Sequence, residues 1–201
     1  MKSILLSFAS GLIGAIFVGF LAPCFYRSRK RKALLTSIQS TLRSYLTAID
    51  KELGDVIALD SEESREELLR KIRARDPGTL TKAKSYKISE SYLDPFKTYL
   101  DHIDLFCPDL ITNITDLHTD ILLFIEKINL LVSQIEFLYT KKPDEIEESI
   151  GILEDNIIDL IETIEHIKCK LKTTISTAHL ERKGKIRLKI SSFIQKITQK
   201  I

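Results

Sequence analysis

The sequence predicts an all-α protein: an amino-terminal transmembrane helix followed by an elongated cytoplasmic helical bundle built on a long antiparallel, coiled-coil-like hairpin. Three observations carry this. A charge-free stretch from Ser3 to Ala22 runs directly into a basic cluster. The chain holds seven glycines and five prolines, and few of either lie beyond position 110, which leaves room for long uninterrupted helices. Apolar residues in that breaker-poor half, isoleucine above all, recur at alternating spacings of three and four.

Composition narrows the classes. With 201 residues and 30 basic against 28 acidic side chains, the chain suits one modest domain plus a membrane segment, and no nucleic-acid partner is called for. The three cysteines, Cys24, Cys107 and Cys169, form no C-x-x-C pair, which argues against a disulfide framework or a zinc site.

Residues 1–26 form the anchor. As a helix, the charge-free run is about 30 Å long at 1.5 Å per residue, the thickness of a bilayer's hydrocarbon core. A cleaved signal fits poorly because the basic cluster follows at once, and "LAPC" departs from a lipoprotein signal in placing Pro23 before the cysteine. Arg27, Arg29, Lys30, Arg31 and Lys32 follow the span and only Lys2 precedes it. The positive-inside bias therefore sets the amino terminus outside and the bulk of the chain in the cytoplasm, as a single-pass membrane protein. Cys24 sits at the boundary as a candidate for lipidation, beside its plainer reading as an inert thiol. Ser7, Gly11, Ala15 and Gly19 recur every four residues, a stripe along which two membrane helices can approach closely.

Residues 27–58 are the basic juxtamembrane segment and a stalk helix, with Leu35, Leu42, Ile49 and Val56 at intervals of seven. Residues 59–108 hold short helices and a loop. Asp60 or Ser61 caps a first helix, which Asp76-Pro77-Gly78 is expected to stop. Residues 79–92 show no period and are expected as loop, and Asp94-Pro95 starts a further short helix.

Residues 109–180 are the hairpin. Ile111, Ile114, His118, Ile121, Ile125 and Ile128 begin one apolar face, and Ile146, Ile150, Leu153, Ile157 and Leu160 resume it after a short break at Pro143. So short a connection demands an antiparallel return, and so wide a face demands several neighbours. His118, on a seam of isoleucines, reads as a core or boundary histidine with a partner rather than as a ligand or pH switch. Residues 181–201 change character: Lys185, Arg187, Lys189, Lys196 and Lys200 alternate with Ile186, Ile190, Phe193, Ile194, Ile197 and Ile201. This is a basic amphipathic helix, suited to an anionic leaflet or to completing the bundle.

Chemistry is sparse. Asp155, Asp159, Glu162 and His166 share a stripe, as do Asp109, Asn113, Asp116 and Asp120, but both flank the isoleucine seams where solvated charge is expected. The paired Glu-x-x-His of di-iron bundles, phosphate loops and nucleophile elbows are missing, so neither a catalytic activity nor a cofactor is expected. The expected function is a membrane-anchored helical interaction protein, a scaffold, tether or regulator. Its partners are the lipid bilayer and a second protein or further copies of itself, met through the small-residue stripe and the wide isoleucine face. The alternative is a membrane-active or pore-forming protein assembled through the small-residue stripe.

Overall fold

The computed structural model describes residues 22–142 and 145–184, all helix and short connections. The predicted span, apart from Ala22, lies outside the described residues with its stripe Ser7, Gly11, Ala15 and Gly19, as does the tail bearing Lys185, Arg187, Lys189, Lys196 and Lys200. Among the described residues, no helix is long and apolar enough to cross a membrane.

Helix α1 (Ala22–Glu52) has no glycine, and its one proline stands in the first turn, where the missing N–H is not required. Thr36, Ser44 and Thr47 return their hydroxyls to carbonyls four residues back, so its polar face satisfies itself. Leu35, Ile38 and Leu42 are buried. The stalk was expected to run unbroken to about Ala58, but it ends before Gly54. There a one-turn α2 (Gly54–Ile57) and a 3-10 turn (Ala58–Asp60) bend the chain and turn Leu53 and Val56 inward. Glycine disfavours a helix interior by about 1 kcal/mol, and two inward apolar side chains favour the bend over straight continuation.

Helix α3 (Glu62–Arg73) follows its sequence signals: Ser61 accepts from the Ser64 N–H, acids fill the first turn and basic residues the last. The expected loop over 79–92 is mostly helix, α4 (Pro77–Ser85), followed by a 3-10 turn (Glu90–Leu93). Asp76-Pro77 is a start rather than a stop. The Asp76 carboxylate accepts from the Thr79 N–H at 3.0 Å and from that of Gly78 at 3.4 Å, with Pro77 at the first helical position. The stop belongs to Arg75, whose φ of 53° is left-handed. That turn lets its guanidinium donate to the carbonyls of Tyr139 and Lys141, where orphan acceptors end a long helix. Helix α5 (Asp94–Leu100) and a 3-10 turn (Ile103–Leu105) lead into that helix.

The long helices α6 (Pro108–Leu138) and α7 (Glu147–Arg182) pack antiparallel. A ladder of polar pairs along one edge displays their register. Asn113 donates to Thr177, Lys170 pairs with Asp120, Lys127 donates to Thr163, Asn156 donates to Gln134 and Lys141 donates to Ser149. Each rung is seven residues on from the last in both sequences, Lys141 lying just past the end of α6, so positions rise on α6 as they fall on α7. Arg31 reaches Glu181 and Asp50 reaches Lys168 at 3.0 Å, so α1 also runs antiparallel to α7. The short helices cover the flank of α6 away from the ladder: Lys84 faces Glu136, and the Phe96 ring lies 5.8 Å from that of His118. His118 is the half-buried boundary residue the seam suggests, with an aromatic ring as its neighbour.

Candidate functional site

The wide isoleucine face, expected as a contact surface, is not available for one. Ile121, Ile125, Ile128, Ile135, Ile157 and Ile164 are buried, because α1 and the short helices supply the neighbours that so wide a face requires. One group of apolar residues left in water lies on the open, ladder-bearing side: Leu123, Leu130 and Phe137 at intervals of seven, 47, 55 and 55 % exposed, with Ile152 across the hairpin at 55 %.

The second candidate is the end of the bundle where α1 enters. Since α1 and α6 run alike and α7 returns, residue 22 and residue 184 leave the described structure from one end. Before its first contact with the rest of the bundle at Arg27, α1 projects about 7 Å past that end at 1.5 Å per residue. Cys24, Phe25 and Tyr26 are exposed on this projection, immediately before the basic cluster.

The cluster divides. Arg29 and Lys32 are exposed and Lys30 half-buried, and among the described residues none of the three forms an ion pair. Arg27 bridges to Asp104 at 2.7 Å with both side chains in water, an arrangement that contributes little to stability. Arg31, assigned by sequence to the membrane surface, turns into the bundle instead, its side chain 18 % exposed, and pairs with Glu181, whose side chain is 1 % exposed.

Glu181 joins three helices. One oxygen takes Arg31 and the Cys107 backbone N–H at 3.0 Å, and the other lies 3.1 Å from the Cys107 thiol. Cys107 is the N-cap of α6 and provides no side-chain cap, so the Glu181 carboxylate supplies an acceptor and a negative charge at that helix start. Burial first, with the neighbouring carboxylate of Glu181 adding to it, pushes the Cys107 thiol up to about 11, so it stays protonated and donates. Nothing in the sequence singled out Glu181 except its place: after Leu171, Thr174 and Ala178 the three-four alternation falls on it.

The acidic stripes partly converge. Asp120 meets Lys170 at 2.5 Å and His166 at 3.4 Å, while Asp159 pairs with Lys127 at 2.7 Å. Asp109, Asp116, Asp155 and Glu162 stay in water, and among the described residues no three potential metal ligands come together. The convergent groups neutralise one another across the hairpin edge, so what they provide is register. Comparison of the chain with family models, curated proteins and solved structures finds no match.

Proposed function

We propose that this chain is a single-span, membrane-anchored helical interaction protein, a scaffold or tether whose bundle stands on the cytoplasmic side and works through helix-helix contacts rather than catalysis. The observation that supports it is the shared exit: the connections to the charge-free segment and to the basic amphipathic tail leave the bundle at one end. That end also carries Phe25, Tyr26, Arg29, Lys30 and Lys32, an aromatic pair followed by positive charge, as expected where a helix leaves a bilayer. Its partners are the bilayer and an amphipathic helix lying along the stripe of Leu123, Leu130 and Phe137, whose seven-residue spacing suits such a helix. Exposed Glu126, Asp155 and Glu162 on the same hairpin favour a partner helix with basic flanks.

Two readings from one preparation test this. The full chain should stay with the membrane through alkaline extraction, and a photo-crosslinking residue at Leu130 should capture a helical segment while the same residue at buried Ile128 does not. Release of the full chain by alkali would overturn the anchor, and equal capture from both positions would overturn the contact face.

A further inference from the structure

Beneath the segment that links α4 to α5, the helices leave a space of about 500 Å³. Ile49 of α1, Ile121 and Phe124 of α6 and Ile167 of α7 wall it, and Ile88 and Tyr92 of the linking segment roof it. The space is a groove about half open to solvent, its floor apolar and its rim carrying Glu52, Asp55, Lys82 and Lys87. Ligand sites occupy about 300 to 1,000 Å³ and are mostly apolar with a few polar groups, as here.

A smaller space of about 190 Å³ continues beyond it, against Leu68, Val132 and Ile135. Asp55, Lys82 and Tyr86 line both spaces and divide them. Lys82 meets Asp55 at 2.6 Å, and the Tyr86 hydroxyl lies 3.4 Å from the same carboxylate oxygen. This divider sits in water, where such a pair holds weakly, so a guest longer than the first chamber can part it. The roof is held by side chains: Asn129 takes the Ile88 N–H at 3.0 Å and donates to the Ile88 carbonyl at 2.9 Å, while the Tyr45 hydroxyl donates to the Tyr92 carbonyl.

We propose that these two chambers form a binding site for one long hydrocarbon chain, the tail of a fatty acid or related single-chain amphiphile, with its polar head at the mouth between Glu52 and Lys87. The source is the free amphiphile rather than a lipid still seated in the bilayer. Ile49 lies about 27 Å along α1 from Arg31 at 1.5 Å per residue, farther than a lipid held at the basic end reaches. The site itself is independent of the anchoring proposed above, and only the choice of source rests on it.

The test uses the full chain in vesicles with two probes, a diazirine-bearing palmitic acid and a phospholipid carrying the same diazirine chain, with adducts mapped by peptide mass. The fatty acid should label peptides containing Ile49, Ile88 and Phe124. Ala48→Trp and Ser85→Trp, which fill the cavity from opposite walls, should each cut that labelling about tenfold without lowering the thermal midpoint. Should one variant fail to fold, the other still decides. Cavity labelling that neither tryptophan reduces, or labelling confined to exposed residues such as Phe25 and Leu130, overturns the site. Cavity labelling by the phospholipid alone keeps the site and overturns the free source.

Discussion

Glu181 occupies a position the helix pattern reserves for an apolar side chain, and its surroundings explain why it is tolerated. A buried carboxylate is costly unless it is paired and hydrogen-bonded; here Arg31, the Cys107 N–H and the Cys107 thiol meet its two oxygens. What the arrangement contributes is location: one carboxylate fixes the entry of α1, the start of α6 and the end of α7 at a common level. Arg31→Ala should therefore be expensive out of proportion to its partial exposure, about 3 to 5 kcal/mol, because it strands a buried negative charge. Adding Glu181→Leu should recover most of that loss. A remainder of about 1 kcal/mol should persist, since the Cys107 N–H then lacks its acceptor. Urea denaturation of the full chain in micelles measures both; a double variant no more stable than the single one would show that the charge is not the cause.

At the scale of elements, the three-four alternation fixes which faces of α6 and α7 meet, and the ladder fixes how far along each other they stand. Asp120 and Lys170 are its charged rung, both half-buried. Asp120→Lys should destabilise the hairpin by about 1 kcal/mol, and Asp120→Lys with Lys170→Asp should restore it. Thermal unfolding of the four proteins of that cycle gives the coupling, and a coupling of zero would leave register to the core alone. The long helices and the hairpin were legible in the sequence because their signal repeats over dozens of residues. Local punctuation was not. Asp76-Pro77-Gly78 satisfies the rules for a helix stop and for a helix start alike, and only the left-handed Arg75, turned so that it meets the end of α6, decides between them. The break before Gly54 and the helical α4 escaped for a related reason: the inward turn of Leu53 and Val56 at the one and the packing of the other depend on α7 and α6, far away in sequence. Of the candidate sites, the basic cluster was legible as composition, but the removal of Arg31 into the bundle, the burial of the isoleucine face and the cavity depend on volumes contributed by separate helices.

On the scale of the whole molecule, the shared exit bears on the basic tail, whose apolar residues suited both a leaflet and the bundle. The tail begins after Gly184, at the end where the open face of the hairpin is mainly polar: Asp109, Thr112, Asp116 and Thr119 are exposed on α6, and Thr173 and Ser176 on α7, beside Leu180 at 41 %. A helix folding back from there would lay most of Ile186, Ile190, Phe193 and Ile194 over hydroxyls and carboxylates, with Leu180 as an apolar contact and the stripe of Leu123, Leu130 and Phe137 farther along. If the bundle is anchored as proposed, a membrane surface at the same end offers the better match, with each lysine or arginine near an anionic leaflet contributing about 1 kcal/mol. Trypsin should accordingly cut after Lys185, Arg187 and Lys189 readily in neutral vesicles, and about tenfold more slowly when a quarter or so of the lipid is anionic. High salt should erase the difference by screening. Slow cleavage in both vesicle types would return the tail to the bundle, and equally fast cleavage in both would deny it either surface.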